Sequence, residues 1–310
     1  MSLKGRDIVS IRDLSREEID EILAAARRMI PYAEGTRSSG SLSGRIVVLA
    51  FFEPSTRTRL SFDAAVQRLG GRSLTIADAS ESSLRKGESL NDTIRMLAHY
   101  GDAIVLRHPN EGAARLAAMV SDRPVLNAGD GAGQHPTQTL VDLATIRESF
   151  GTLAGLRIVL LGDLRHGRTV HSLARALAIY GSAIRTVSPP GLSLPPEVAE
   201  QVVELGGEIQ EEASLAKAVR DADVLYVTRL QKERFLDPTE YAQVAGSYRV
   251  DAAALQGARD RLVVMHPLPR TGEIAPELDA TPRAAYFRQA FLAVPVRMAL
   301  LGLVLNGKVP

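Results

Sequence analysis

Short apolar, β-branched runs return along this chain between helical patterns, and that alternation limits its possible folds more than any other feature. Runs at residues 45–50, 73–77, 103–106 and 125–127 are separated by helix-period segments such as 90–99 and 112–120. A second series at 157–161, 183–187, 223–227 and 262–265 is separated by segments such as 168–180 and 196–205. Strands that alternate with helices pair in parallel, because a parallel crossover needs a dozen or more residues and a helix supplies them. With 310 residues and about 100–200 per domain, two domains are expected. The fold class predicted is therefore α/β, with two doubly wound parallel-sheet lobes joined by a helix at 136–150. Ser15 and Glu18 read as a capping box opening a helix with Ile19, Ile22, Leu23 and Ala26 on one face, expected to stop before Pro31. The segment 55–69 has helical spacing and a glycine stop at Gly70 and Gly71.

Charge narrows the partners. The 37 basic and 36 acidic side chains leave a formal charge of +1, so no bulk field exists to hold a nucleic acid or an acidic membrane surface. An anion handled by this chain should be small and met by a local cluster. Only Lys4, Lys86, Lys217, Lys232 and Lys308 are lysines, which leaves arginine as the dominant cation. Most of these arginines suit surface ion pairs, but some are expected to form planar forks for carboxylate or phosphate. With no cysteine there is no disulfide, thiolate nucleophile or Cys-ligated zinc. The start of the sequence lacks an apolar signal core, and the late apolar stretch 291–307 is interrupted by Pro295 and Arg297 and reads as too short to span a bilayer. A cytoplasmic location is expected.

Ligands of open α/β sheets sit beyond the carboxyl ends of the strands, and with two lobes the expected place is the crevice between them. After the first strand come Ser55, Thr56, Arg57, Thr58 and Arg59, preceded by Glu53. Three hydroxyls and two guanidinium groups at a strand-to-helix turn converge with free backbone N–H groups and the helix dipole, which makes a phosphate cradle without a glycine loop. The G-x-x-x-x-G-K-[ST] pattern of nucleotide-binding loops is absent. Arg107 ends the third strand on the same edge. His135 and Gln138 open the bridging helix three residues apart, suiting donors aimed at a carbonyl oxygen and an amide. After the first strand of the second series stand Arg168 and only two glycines, Gly162 and Gly167, which disfavours dinucleotide binding. Arg229 and Gln231 follow a later strand at alternate positions and can converge on a carboxylate, with Arg234 beyond them. Pro267 and Pro269 restrict the chain after the last strand and leave carbonyls free to accept from an amide nitrogen.

The Ser55–Arg59 segment resembles the carbamoyl-phosphate motif of the aspartate and ornithine carbamoyltransferase family. Segments 106–109, 133–138, 163–169, 228–234 and 266–270 match the same family in the same order, over nearly the whole chain. The ornithine branch carries D-x-x-x-S-M-G and H-C-L-P signatures that are missing here, while Arg168, Arg229 and Gln231 suit a dicarboxylate. The resemblance therefore implies transfer of a carbamoyl group from carbamoyl phosphate to the neutral α-amine of L-aspartate, in pyrimidine synthesis. It assigns Ser55, Thr56, Arg57 and Thr58 to the phosphate, with Arg107, His135 and Thr58 polarising the carbamoyl oxygen. Gln138 and the carbonyls of Pro267 and Leu268 would hold the carbamoyl NH2, and Arg168, Arg229 and Gln231 the aspartate carboxylates.

Residues 1–135 with the helix 290–310 would form the carbamoyl-phosphate domain and 136–289 the aspartate domain. By the same resemblance the polar loop with Ser82, Ser83 and Lys86 enters the site of a neighbouring subunit, implying a homotrimer with shared sites. Lys86 and one of the two serines would reach substrate there. Glu53 would pair with Arg168 and Arg234 on domain closure, and the Leu268–Pro269 peptide would be cis. A regulatory chain or a dihydroorotase is a possible further partner. No cofactor and no metal are implied. Two other readings stay open at this point, another amine acceptor such as ornithine and a non-catalytic carbamoyl-phosphate-binding assembly subunit.

Overall fold

The computed structural model describes residues 2–76, 87–235 and 237–310. Ser82, Ser83 and Lys86 lie outside the described residues. Two compact units are present, one formed by residues 1–144 and 291–310 and the other by 145–290.

The first unit holds a four-stranded parallel sheet in the order β2-β1-β3-β4, built from β1 (Ile46–Phe51), β2 (Arg72–Ile76), β3 (Ala103–His108) and β4 (Val125–Asp130). β1 is buried from Val47 to Phe51 without alternation, as a central parallel strand covered on both faces should be. Helices α3 (Leu90–Tyr100) and α4 (Ala113–Val120) cover one face, packing Ile94, Leu97, Ala114 and Ala117 against Val48, Ala50, Ile104 and Leu106. Each fully buried aliphatic side chain in such a layer contributes about 1.5–3 kcal/mol.

Helix α1 (Arg16–Ala33) opens on the expected capping box, in which the Ser15 hydroxyl accepts from Glu18 N and the Glu18 carboxylate accepts from Ser15 N. It does not stop at Pro31. The proline stands in the last turn, where its missing N–H removes one helical bond only, and Glu34 N still closes onto Ile30 O. Helix α2 (Thr56–Arg68) follows β1 and buries Phe62, Ala65 and Val66.

The second unit holds a five-stranded parallel sheet, order β7-β6-β5-β8-β9, from β5 (Arg157–Leu161), β6 (Ala183–Val187), β7 (Glu208–Glu211), β8 (Val224–Val227) and β9 (Val263–Met265). Its core packs Val159, Leu161, Leu225, Val227 and Val264 with Val250, Leu255, Ile274 and Tyr286. β7 is absent from the sequence reading. Its sequence EIQE has no apolar run, and it exists because β6 offers a free edge to which Glu208–Glu211 hydrogen-bonds in register.

The chain crosses between the units within α5 (Pro136–Phe150) and again within the last helix, α7 (Tyr286–Asn306). α7 corrects an expectation. Pro295 and Arg297 do not interrupt it, and its 21 residues are long and apolar enough, by length and composition, to cross a membrane. Most of that apolar surface is turned into the protein. Leu292, Val296, Met298, Leu300 and Leu301 are buried, and so is Arg297, whose guanidinium donates to Ser61 Oγ and lies 4.8 Å over the Phe62 ring. Complete burial pushes that guanidinium down to about 9, with Asp142 acting in the opposite direction.

Candidate active site

Each sheet reverses its strand order at one point of its own, and several of each unit's candidate groups follow the two strands that flank it. In the first unit the reversal lies between β1 and β3, whose register pairs Phe51 with Arg107. The strand ends are locked further by Phe52 N donating to Arg107 O at 2.8 Å. This pairing sets Arg107 beside the turn that starts α2. Ser55 is the N-cap of α2 with extended backbone, yet its hydroxyl makes no capping hydrogen bond, so it is not spent on the helix. Thr56 and Arg57 are exposed on the first turn, and Thr58 is buried beneath them. The first-turn N–H groups and the positive end of the helix dipole coincide with these side chains, which is the geometry of an anion site.

Arg107 is held on two sides. Its Nη1 donates to Ala128 O at 3.2 Å and its Nη2 pairs with Glu53 Oε2 at 3.1 Å. Within its own unit Glu53 thus pairs with Arg107. Next to it, burial pushes His108 below its ordinary range against the pull of Asp130 and Glu53, and its Nδ1 accepts from Asn110 N at 3.0 Å.

His135 is presented by a buried turn that the sequence does not announce. Asp130 Oδ1 accepts from Asn127 Nδ2 and from Gln134 N, each at 3.0 Å, and Asp130 Oδ2 accepts from Gly112 N at 3.0 Å. A fully buried carboxamide and a buried carboxylate therefore fix the chain immediately before His135, which is 4% exposed. Its Nδ1 lies 3.4 Å from Thr137 Oγ1. Gln138, in the first turn of α5, donates through Nε2 to Asp142 Oδ1 at 2.8 Å. With its NH2 engaged there, the carbonyl oxygen is the part of the side chain that can accept. Gln138 therefore suits an NH2 group as the accepting partner, where spacing alone suggested a donor.

In the second unit the order reverses between β5 and β8, paired as Leu161 with Val227. Arg168 is the first residue of α6 (Arg168–Ile179), a position where a cation opposes the helix dipole. A largely buried arginine placed there adds its charge to the N–H groups of the helix start and favours an anion. Asp163, fully buried after β5, accepts from His166 N at 3.0 Å, from His166 Nδ1 at 3.2 Å and from Gln231 N at 3.2 Å. One carboxylate thus ties the loop before α6 to the loop after β8. Gln231 Nε2 donates one hydrogen to His166 O at 2.7 Å, leaving its second for a ligand. Arg229 Nη1 donates to Leu230 O at 3.0 Å. Arg234 ends the short 3-10 turn Lys232–Arg234.

Gly162 is what lets these two loops approach. Its φ is +122°, and a Cβ there would overlap the Thr228 carbonyl oxygen and come within 2.6 Å of the Tyr248 hydroxyl, which donates to that same carbonyl. Gly162→Ala is expected to cost the protein roughly 2–4 kcal/mol from strain and overpacking. Chemical denaturation checks this, and an unchanged midpoint would refute it.

After β9, the chain turns at His266, Pro267 and Leu268. Leu268 has φ +57°, in the left-handed region, and the Leu268–Pro269 peptide is cis, as expected. Among the described residues no group of His, Asp and Glu is arranged to hold a metal ion.

Residues 6–148 match the family described as aspartate/ornithine carbamoyltransferase, carbamoyl-P binding domain, and residues 154–304 match its Asp/Orn binding domain. The aspartate carbamoyltransferase catalytic subunit of Methanothrix thermoacetophila is 54% identical over 304 residues, covering 98% of this chain and 99% of the relative. That of Thermococcus onnurineus is 54% identical over 309 residues, covering 99% of each. Among solved structures, aspartate transcarbamoylase from Trypanosoma cruzi, in complex with carbamoyl aspartate and phosphate, superposes with a TM-score of 0.92 at 41% identity, covering 98% of this chain and 97% of the other. The catalytic subunit of M. jannaschii aspartate transcarbamoylase gives a TM-score of 0.88 at 49% identity over 96% and 97%.

Proposed function

The chain belongs to the aspartate/ornithine carbamoyltransferase family, and from that premise we propose how its residues divide the chemistry. It is an aspartate carbamoyltransferase, which moves the carbamoyl group of carbamoyl phosphate onto the α-amine of L-aspartate in pyrimidine synthesis and releases phosphate. A Trypanosoma cruzi relative at 41% identity was solved with carbamoyl phosphate and aspartate bound.

In our reading the first unit takes carbamoyl phosphate. The phosphate lies on Ser55, Thr56, Arg57 and Thr58, where an uncommitted N-cap hydroxyl and the helix start favour a dianion. Arg107 and His135, with Thr58, donate to the carbamoyl oxygen, and the carbonyl of Gln138, whose NH2 is engaged by Asp142, accepts from the NH2 together with the carbonyls of Pro267 and Leu268. The second unit takes aspartate, its carboxylates facing Arg168, Arg229 and Gln231. The neutral amine attacks the carbamoyl carbon, the oxygen becomes an oxyanion, and collapse expels phosphate, which accepts the amine proton. No covalent enzyme intermediate is needed. Orientation and preset donors at the oxyanion supply the rate enhancement, about 3–4 kcal/mol for a well-placed donor.

The observation that carries the assignment is Arg168 at the start of α6 after β5, with Arg229 and Gln231 in the loop after the adjacent strand β8, two cations and an amide donor suited to two carboxylates. The expected result is phosphate release from carbamoyl phosphate with aspartate and none above background with ornithine. Release with ornithine alone would overturn it. The reading extends to a cytoplasmic homotrimer whose sites are shared through Ser82 or Ser83 and Lys86, with a regulatory chain or dihydroorotase as a further partner, on the strength of the family resemblance.

A further inference from the structure

Three groups buried behind the turn after β9 belong to no substrate assignment above. Leu268 N donates to His266 Nδ1 at 2.8 Å, so that nitrogen carries no proton. The ring hydrogen must then be on Nε2, which lies 2.6 Å from Glu273 Oε1 and donates to it. The other carboxylate oxygen, Glu273 Oε2, accepts from Thr271 N at 2.8 Å and Thr271 Oγ1 at 3.2 Å. His266 N donates to Gln289 Oε1 at 2.9 Å. One histidine and one carboxylate thereby tie down the chain on both sides of Pro267 and Leu268. His266 is 1% and Glu273 8% exposed. Leucine seldom adopts the left-handed backbone that Leu268 shows, and in that conformation its own N–H donates to His266.

We propose that His266 and Glu273 are positioning residues that fix the direction of the Pro267 and Leu268 carbonyls, and through them the orientation of the carbamoyl NH2. The inference rests on the function reading above. Burial holds His266 below its ordinary range although Glu273 faces it, Arg270 and Arg229 acting in the same direction as burial. Glu273 stays below the carboxylate range, since the hydrogen bonds from His266 and Thr271 outweigh its own burial. A neutral imidazole donating to a carboxylate follows, which is the tautomer the Leu268 contact requires.

Inorganic phosphate separates positioning from general damage, because it can use the Ser55–Thr58 cradle without touching these carbonyls. In His266→Phe, the KM for carbamoyl phosphate is expected to rise at least tenfold while the inhibition constant for inorganic phosphate stays within twofold. His266→Asn places an amide oxygen where Nδ1 stood and should return the KM to within threefold of wild type. An unchanged KM in His266→Phe, a parallel weakening of phosphate inhibition, or an asparagine variant no better than phenylalanine would each overturn the inference. If His266→Phe does not fold, Glu273→Gln decides, with a raised carbamoyl-phosphate KM expected and a wild-type KM fatal. A wild-type chain that transfers no carbamoyl group to aspartate would overturn the function reading as well, whereas an active wild type with insensitive variants overturns only this inference.

Discussion

Arg107→Ala is expected to lower kcat about 10²–10³-fold, the loss typical of one preset donor at a developing oxyanion. The guanidinium lies at the end of β3, held by Ala128 O at 3.2 Å and Glu53 at 3.1 Å, with its side chain 11% exposed. A donor fixed in this way costs no reorganisation when negative charge grows on the carbamoyl oxygen. The charge is larger in the transition state than in bound substrate, so kcat should fall more than affinity for carbamoyl phosphate does. The main chain of β3 is paired on both sides independently of this side chain, so the variant should keep its circular dichroism spectrum. Steady-state rates at saturating substrates measure the effect, and a loss below fivefold would remove Arg107 from the reaction.

Arg229→Ala is the second large effect expected, and it falls on the other substrate. A half-buried guanidinium facing a carboxylate makes charge-assisted hydrogen bonds of about 1.5–3 kcal/mol, so the KM for aspartate should rise roughly 10–100-fold. The KM for carbamoyl phosphate should stay within twofold. Arg229→Lys should recover only part of the loss, since a point charge cannot reproduce a planar fork. An aspartate KM within threefold of wild type in the alanine variant would refute the assignment.

Much of the architecture was legible beforehand because local physics wrote it. Strands buried on both faces need unbroken apolar runs, as in IVVLAF of β1, and the capping box at Ser15 needs only neighbours in sequence. Local signals failed where tertiary contact overrode them. Pro31 and Pro295 are tolerated inside helices, the first because it falls in the last turn and the second within a helix packed into the protein. β7 has no apolar pattern and depends on the edge of β6.

The candidate residues themselves were readable from motifs that interleave arginine with hydroxyl and amide groups after strands. Their supports were not. Asp130, Asn127, Asp163, Asp142, His266 and Glu273 look like ordinary polar residues in sequence, since what distinguishes them is burial and a partner far along the chain or across a turn. Local cues existed for two of them, since Asp163 and His266 open the segments 163–169 and 266–270 that come just after predicted strands.

The sequence by itself determined the alternation of strands and helices, the cation-rich turns suited to small anions, and the absence of the glycine pattern a dinucleotide needs. Each depends on residues within a few positions of one another. Only the tertiary structure decided the strand order, and with it which turns share a sheet edge, because pairing β1 with β3 and β5 with β8 joins segments far apart in the chain. It also decided which nitrogen of His266 carries the proton, since the left-handed turn at Leu268 sets that residue's N–H 2.8 Å from Nδ1 and brings the Glu273 carboxylate to 2.6 Å from Nε2.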